Sequence, residues 1–300
     1  MNLLYLLYMP TNKQLRERIE KQKKEFDVLR PGKGSLLAMI DDAEVSEAVY
    51  NSNAIENSTL TLKETEKILL EMELSRDVDL REVFEAKNLA RVVTHVRGKA
   101  AEMEFSLEMI LLLHKMLLDN INEHIAGRFR GKGEYVRVGT HVAPAPEHVE
   151  GLLQDALVHY TSDLQSFVSD KIARFHLEFE RIHPFNDGNG RIGRVLMNYQ
   201  LARLGFPPVI IRNKDKQAYY ETFRGYEDKK NTIGMEKIVG LAMAESLHKR
   251  LAYLRGDEII SLADDAKRRK QSVSAALNAA RRQTIGAFRE KGVWKIGALR

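Results

Sequence analysis

The sequence predicts an all-α protein with one short β-hairpin in its body and a small helix-turn-helix module with a hairpin at its C-terminus. Apolar residues recur at helical spacing through most of the chain, as in the set Leu15, Ile19, Phe26 and Leu29. The stretch from Tyr135 to Val138 alternates apolar and charged side chains, which predicts the hairpin. A hydrophobic content of 44% in 300 residues is enough for a buried core and argues against disorder.

Capping and helix-breaking residues set the expected helix boundaries. Pro31 and Gly32 end the first helix, and Thr61 with Glu64 has the spacing of a capping box. Ser106 is expected to cap a later helix. We expect helices over about residues 15–29, 40–52, 62–74, 80–98 and 106–120, further helices starting near 147 and 171, and helices over about 191–204, 214–224 and 236–254.

The net charge of +5 comes entirely from the C-terminal tail. Residues 1–256 carry 37 basic and 37 acidic side chains, whereas residues 257–300 carry 10 and 5. The balanced body excludes a generally cationic nucleic-acid binder and leaves a basic tail module open. In this tail we expect helices over 259–266 and 272–280 and a hairpin over 287–296.

Composition and the N-terminus limit the class of protein further. The absence of cysteine excludes a disulfide framework and a thiolate metal site and is compatible with a reducing cytosol. Residues 1–9 are apolar but far shorter than the roughly 20 residues of a membrane-spanning helix, so we expect an arm and no membrane segment. We expect four parts: the arm and first helix (1–35), an N-terminal helical region (36–110), a core (111–256) and the basic module (257–300).

The densest run of chemically competent side chains lies between Ile182 and Arg194. Pro184 ends the preceding helix, so His183 stands at that helix end. His183 is the one group in the run whose ordinary pKa is near neutral, which makes it the natural general base or nucleophile. Asp187 offers a hard oxygen of the kind that holds Mg²⁺ beside phosphates.

The second half of the run predicts a phosphate site. Asp187 to Gly190 is a tight, glycine-rich connection into a helix N-terminus, whose unpaired N–H groups attract anions. Arg191 and Arg194 are three residues apart and share one helix face beside it. Base, carboxylate, backbone nest and two guanidinium groups together predict a phosphoryl- or nucleotidyl-transfer site.

His-Pro-Phe-x-Asp-Gly-Asn-Gly-Arg-x-x-Arg, from His183 to Arg194, resembles the full signature of Fic-domain proteins. The resemblance implies a Fic-type helical core with a hairpin flap. It also implies transfer of AMP from ATP to a Ser, Thr or Tyr hydroxyl of a target protein and of the enzyme itself. His183 would deprotonate the hydroxyl, and Asp187 would hold Mg²⁺ or Mn²⁺. The implied nucleotide contacts are Phe185, which anchors the loop, the anion hole of Gly188, Asn189 and Gly190, and the phosphate-binding Arg191 and Arg194.

A second stretch, from Ser52 to Asn57, is similar to the inhibitory pattern Ser/Thr-x-x-x-Glu-Gly/Asn of the same family. The resemblance implies an inhibitory helix over about 41–57, in which Glu56 pairs with Arg194 and takes the guanidinium that the γ-phosphate needs. In the alternative, Asn57 is a left-handed helix cap and Glu56 is merely solvated.

Other positions carry weaker predictions. Tyr135, Val136, Arg137 and Val138 form a flap strand that could pair with an extended target segment. Tyr219 and Tyr220 lie in a stretch that is similar to the family's Tyr-containing segment after the signature helix. The resemblance implies that one of them lines the adenine pocket. In the alternative, both only pack between helices. Histidines outside the motif, His114 and His141 among them, show no metal-ligand spacing, and we expect them on the surface.

The tail resembles small winged-helix DNA-binding modules. Its basic side chains either meet phosphates or form the solvated face of a docking module: Arg281, Arg282, Arg289, Lys291 and Lys295. Three alternatives to AMP transfer stay open, namely transfer of another phosphate-containing group, removal of AMP, and DNA-binding regulation through the tail. We expect a cytoplasmic, bacterial protein and leave open whether it forms a homo-oligomer.

Overall fold

A computed structural model describes residues 9–73 and 78–298, with side chains from residue 13 onward. The chain forms two compact units. One combines the described part of residues 1–44 with 206–209 and the described part of 239–300, and the other combines the described part of 45–205 with 210–238. The predicted arm over residues 1–8 lies outside the described residues, and the four-part domain division stays a prediction.

The described chain is mostly helical, which confirms the predicted class. Its longer helices, labelled in chain order, are α1 Met9–Leu29, α2 Gly34–Ile55, α3 Leu62–Glu66, α4 Leu80–Lys99, α5 Leu107–Leu118, α6 Val149–Ser162, α7 Val168–Ile182, α8 Asn189–Arg203, α9 Lys216–Lys229 and α10 Ile233–Arg255. Single 3₁₀ turns, Pro146–His148 and Asn213–Asp215, precede α6 and α9. Within the described residues, no helix combines the length and apolarity that a bilayer crossing requires.

The third helix is shorter than predicted and changes character along its length. It starts as expected, because the Thr61 hydroxyl accepts from the Glu64 N–H at 3.2 Å and the Glu64 carboxylate accepts from the Thr61 N–H at 2.8 Å. After α3 the chain continues as a π-helical turn, Lys67–Glu71, and Met72 adopts a left-handed φ of 59°. This left-handed residue ends the helix before the predicted end at Leu74, a residue outside the described ones.

The larger unit is organised around one hydrophobic core. Helices α4 to α8 contribute fully buried side chains to it, including Leu113 and Phe179, and the loop between α7 and α8 contributes Phe185. Phe185 belongs to the predicted motif, so the motif loop is anchored directly in the core. The flap is a two-stranded antiparallel hairpin of β1 Arg137–Val138 and β2 His141–Val142, and a bond from the Ala143 N–H to the Val136 carbonyl extends it.

The flap strand is therefore shorter than predicted at its N-terminal end. Tyr135 donates its N–H to the Gly133 carbonyl at 3.1 Å, so it belongs to a turn rather than to the ladder. The side chains of Tyr135, Val138 and Val142 are all exposed. The flap hairpin therefore exposes apolar side chains to solvent.

The C-terminal module is a three-stranded antiparallel sheet with two helices: β3 Glu258–Ser261, α11 Leu262–Arg268, α12 Val273–Arg281, β4 Ala287–Glu290 and β5 Val293–Ala298, in sheet order β3-β5-β4. The expected helix over 259–266 is wrong at its start. Ile259 pairs with Gly297 of β5 and Ile260 pairs with Ile296, so these residues form a strand and not the start of a helix. The helix over 272–280 and the hairpin are confirmed, whereas the winged-helix assignment stays a prediction.

Candidate active site

His183 ends helix α7 in a left-handed conformation, with φ 49°, and its N–H still donates to the Phe179 carbonyl at 2.9 Å. Its ring atom Nδ1 lies 3.4 Å from the Glu180 carbonyl oxygen. Because a carbonyl oxygen only accepts, Nδ1 carries the proton and Nε2 is left as the proton acceptor. Burial, together with nearby Arg130, lowers the pKa of His183 to about 4, so the ring is neutral near pH 7.

The loop after His183 is closed by the side chain of Asn189. Its Oδ1 accepts from the Phe185 N–H at 2.9 Å, and its Nδ2 donates to the Phe185 carbonyl at 2.7 Å. The Phe185 ring is fully buried and stacks on His114, with ring centroids 3.6 Å apart. The Asn189 side chain is therefore occupied within the loop, which leaves only its backbone N–H for the predicted anion hole.

His114, from helix α5, supports the loop from below. Its Nδ1 accepts from the Gly127 N–H at 3.0 Å, so Nε2 carries the proton and donates to the Asp187 carbonyl at 3.0 Å. Burial lowers the pKa of His114 to about 4, which keeps this tautomer neutral. The expected surface position is wrong for His114, which is fully buried. It is also wrong for the partly buried His141, whose Nε2 lies 2.8 Å from the Arg181 carbonyl oxygen.

Arg130 joins the motif loop to the flap, a role that no local sequence signal predicts. It lies in a Gly- and Arg-rich stretch that resembles a solvated turn, yet it is 3% exposed. Its Nε donates to the His183 carbonyl at 2.8 Å, and its Nη2 donates to the Pro144 carbonyl at 2.9 Å. Further bonds reach the carbonyls of Glu134 and Ile182. One guanidinium thus holds four backbone carbonyls around the site.

Asp187 lies within a ring of charged side chains. Its Oδ1 accepts from Arg191 Nη2 at 2.9 Å, and its Oδ2 accepts from Arg81 Nη2 at 2.5 Å. Glu85 Oε1 lies 3.1 Å from both Arg191 Nη1 and Arg81 Nε, which closes the ring. Arg81 and Glu85 come from helix α4 and were not predicted from the sequence.

The predicted inhibitory segment meets Arg194. Arg194 Nη2 donates to Glu56 Oε1 at 2.8 Å and to the Ser52 carbonyl at 2.9 Å, and Nε donates to the Ser52 hydroxyl at 2.9 Å. The Glu56 carboxylate lies directly over Gly190, where a Cβ atom would come within 2.1 Å of Oε1. Glu56 is therefore paired with the arginine beside the helix N-terminus.

Comparisons with known proteins identify relatives of this chain. Residues 104–201 match the family described as Fic/DOC. This chain contains a Fic domain. A relative in Nematostella vectensis named "Protein adenylyltransferase Fic" is 31% identical over 215 residues, covering 70% of this chain and 49% of that protein. A relative of the same name in Drosophila grimshawi is 34% identical and covers 57% of this chain and 36% of that protein. The chain thus spans half or less of the length of these curated relatives.

Solved structures show that the Fic fold extends beyond the matched residues. A Fic domain containing signalling protein from Bacteroides thetaiotaomicron aligns with a TM-score of 0.72 at 24% identity, over 80% of this chain and 98% of that one. A Fic family protein from Desulfovibrio desulfuricans aligns with a TM-score of 0.66 at 20% identity, over 97% of both chains.

Two tyrosines of α9 connect the Fic motif to the end of α2. The Tyr219 hydroxyl accepts from Arg194 Nη1 at 3.3 Å and lies 2.7 Å from His176 Nε2. The Tyr220 hydroxyl donates to the Ile55 carbonyl at 3.1 Å. Asn57 has a left-handed φ of 71°, the cap of the alternative interpretation, and its side chain accepts from Lys216 Nζ at 2.7 Å.

Behind the Fic motif lies a buried acid that the sequence did not single out. Glu180 Oε1 has no hydrogen-bond partner among the described residues, and Gly193 leaves room for it, since a Cβ there would come within 2.8 Å. Burial raises the pKa of Glu180 to about 8, and the nearby Glu56 adds to this shift. Glu180 is therefore protonated near pH 7, and Arg194 faces one ionised carboxylate rather than two.

The donors available to a metal ion in this Fic domain are few. Among the residues that the structure describes, no group of three His, Asp or Glu side chains surrounds a metal-sized space. Asp187 offers one carboxylate at the predicted position, with 31% of its side chain exposed. This donor set suits Mg²⁺, which is commonly held by one or two carboxylates and completed by phosphate oxygens and water.

Proposed function

We propose that this Fic-domain protein is an enzyme that transfers AMP from ATP to a Ser, Thr or Tyr hydroxyl of a target protein and of itself. The observation that carries the proposal is the unprotonated Nε2 of His183 in the loop that leads to the N-terminus of α8. The curated relatives named protein adenylyltransferase support the choice of AMP as the transferred group.

In the proposed step, Nε2 of His183 accepts the proton of the target hydroxyl. The hydroxyl oxygen forms a bond to the α-phosphorus, the bond from that phosphorus to the bridging oxygen of the β-phosphate breaks, and pyrophosphate leaves. Charge on the phosphates would be met by Arg191, Arg194 and the backbone N–H groups of Gly188, Asn189 and Gly190. The bonds of Asn189 to Phe185 support this role, because they fix the backbone of the loop.

We assign Asp187 as the residue that would hold Mg²⁺ or Mn²⁺. When bound, the ion would neutralise charge on the phosphates of ATP. The half-exposed Asp187 carboxylate and its position four residues after His183 support the assignment.

Autoinhibition through Ser52, Glu56 and Asn57 is part of the proposal. The 2.8 Å bond between Glu56 and Arg194 supports it, because a guanidinium engaged by a carboxylate is not available to a γ-phosphate. The position of the carboxylate over Gly190 supports it further, since an anion already lies beside the helix N-terminus. The Glu56 side chain is 36% exposed, so it can leave without disrupting the core.

The flap and the tyrosines receive separate roles. We propose that the flap segment Tyr135, Val136, Arg137 and Val138 pairs with an extended target segment, which its exposed apolar side chains support. Tyr220 stays the candidate for the adenine pocket, because Tyr219 is fully buried and its hydroxyl is engaged by Arg194 and His176.

The remaining proposals concern location and partners. We propose a cytoplasmic, bacterial protein and leave a homo-oligomer as a prediction. Residues 257–300 would bind DNA or a protein partner, although Arg289 is a poor phosphate ligand because Glu245 holds its guanidinium at 2.5 to 3.1 Å.

The test is labelled ATP with the wild-type chain, Glu56→Gly and the double variant Glu56→Gly/His183→Asn, each with Mg²⁺ in native lysate. Asparagine tolerates the left-handed backbone of residue 183, so the double variant keeps the fold and loses the base. We expect Glu56→Gly to raise labelling by about 100-fold, because misplaced phosphates react slowly. His183→Asn should then lower labelling by about 100-fold or more.

Labelling that is absent from both the wild-type chain and Glu56→Gly would contradict AMP transfer. Other nucleotides and CDP-choline, offered in the same assay, test whether another group is the donor. Release of AMP from a labelled target by the wild-type chain, lost in Glu56→Gly, would identify AMP removal as the activity instead.

A further inference from the structure

Arg81 reaches the active-site carboxylate from outside the Fic motif. It lies in the first turn of helix α4, more than a hundred residues before Asp187, and its Nη2 lies 2.5 Å from Asp187 Oδ2. The other oxygen, Oδ1, is held by Arg191. Both oxygens of the carboxylate that we assign to the metal are therefore engaged by guanidinium groups.

The two arginines differ in how firmly they are fixed. The Arg191 side chain is 4% exposed, whereas the Arg81 side chain is 54% exposed. Glu85 bonds both arginines, so it keeps Arg81 near the site when the bond to Asp187 is broken. Arg81 can leave Oδ2 for solvent at little cost, but Arg191 cannot leave Oδ1 without exposing a buried charge.

We propose that Arg81 is a built-in counter-ion of Asp187 that a divalent cation must displace, so that Arg81 sets the metal concentration at which the nucleotide binds. The inference rests on the proposed function, because it takes Asp187 as the metal-holding residue. A guanidinium and a divalent cation at the same carboxylate oxygen repel each other, so the pair and the metal compete at Oδ2. Removing the competitor lowers the metal concentration that is needed.

The structure supplies a matched control for Arg81 on the same helix. Arg91 is 48% exposed and donates to Asp119 Oδ2 at 2.7 Å, as Arg81 does to Asp187. The carboxylate that Arg91 meets belongs to the end of α5 and not to the Fic motif. Arg91 also donates to the Met116 carbonyl at 2.9 Å, whereas Arg81 also pairs with Glu85. Arg91→Ala therefore removes a comparable ion pair from α4 without touching the site.

The experiment measures binding of a fluorescent, non-hydrolysable ATP analogue to the full chain as free Mn²⁺ is raised. All variants carry Glu56→Gly, so that inhibition does not limit binding. We expect Arg81→Ala to lower the half-saturating Mn²⁺ about threefold, because half-exposed ion pairs are weak. Arg81→Lys keeps the cation and should stay near the parent, and Arg91→Ala should not shift. Affinity for the analogue at saturating Mn²⁺ should not weaken in Arg81→Ala.

Two results would overturn the inference while leaving the proposed function intact. An unchanged Mn²⁺ midpoint in Arg81→Ala would mean that the pair is only a surface bridge. Weaker analogue binding at saturating Mn²⁺ would mean that Arg81 is a phosphate ligand instead. Asp187→Ala separates these results from a failure of the proposal itself. If Asp187→Ala leaves the Mn²⁺ dependence unchanged, or if no variant binds the analogue, the assigned metal site falls and this inference falls with it.

Discussion

The loop from His183 to Arg194 and the end of helix α2 from Ser52 to Asn57 meet at the same arginine, yet they are held in different ways. The loop is fixed from the inside, by Asn189 within it and by His114 and Arg130 beneath it, all of them buried. The end of α2 is buried from Ser52 to Ile55, and only Glu56 and Asn57, which follow the helix, are exposed.

This difference separates a permanent part of the site from a removable one. A buried bond is expensive to break, because the groups left behind lose water as well as their partner. Water can replace Arg194 at the exposed Glu56 carboxylate, and the buried Arg194 keeps its two bonds to Ser52 when Glu56 leaves. The loop should therefore keep its shape while the Glu56 carboxylate comes and goes, and a regulator needs to act only on Glu56.

We expect the largest effect from Arg130→Lys, which tests whether buried bonds hold the loop in place. Lysine cannot reach four carbonyls, so buried acceptors lose partners and the free energy of unfolding should fall by about 3 kcal/mol. Urea unfolding followed by circular dichroism measures this. The control is the exposed neighbour Arg128→Lys, whose pair with Glu134 should matter by less than about 1 kcal/mol. Equal effects of the two substitutions would contradict a loop held by Arg130.

We expect a somewhat smaller effect of pH on the free energy of unfolding, through His114 beneath the loop. The pKa of His114 is about 4 in the folded protein and ordinarily 6.5, so the unfolded chain binds the proton first as the pH falls. Stability from this group is full above pH 6.5 and is lost as the pH falls towards 4. Between pH 7 and pH 5 the loss should be about 2 kcal/mol.

The measurement is urea unfolding of the wild-type chain and His114→Gln at a series of pH values. His114→Gln should be less stable at pH 7 and should lose less stability on acidification. If the unfolding free energies of the two proteins fall in parallel as the pH is lowered, His114 does not cause the loss of stability in acid. The loop would then depend less on buried support than we infer.

We expect the smallest effect from a substitution of Glu82, which contacts the chain next to Glu56. Glu82 accepts from the Ser58 hydroxyl at 2.8 Å and from the Thr59 N–H at 2.5 Å, so it ties down the chain just after Glu56. Glu82→Gln removes the charge but keeps an oxygen that can accept, so it should only loosen this tie and raise the proposed basal AMP transfer about threefold. The exposed Glu102→Gln, whose partner is Lys99, should change nothing. A fall in labelling with Glu82→Gln would show that Glu82 supports the site rather than the inhibition.

The sequence carried enough information to predict the helices and the position of the active loop. Local rules sufficed there, since Thr61 and Ser106 cap their helices as expected and Pro184 follows a helix end. His183 and the glycines after it are close in sequence, so their spacing alone predicts a phosphate site, and that site stays a prediction. The helix ends were predictable because the interactions that set them are of short range.

Residues that support the loop from elsewhere were not predictable in this way. Four such residues lie 53 or more positions from their partners in the loop from His183 to Arg194: Arg81, Glu85, His114 and Arg130. Nothing in their own neighbourhoods indicates those partners. Arg130 sits among glycines and cations, a composition typical of solvated turns. The strand β3 was missed for the same reason, because its partner β5 follows more than thirty residues later.

Gly190 limits the routes by which the proposed inhibition can be lost. The space that a Cβ would fill is occupied by Glu56, and we propose that phosphate approaches the same helix end. On this proposal, a side chain at this position would displace Glu56 and block the phosphate together. Substitutions that give constitutive activity are therefore expected at Glu56 or its supports and not at Gly190.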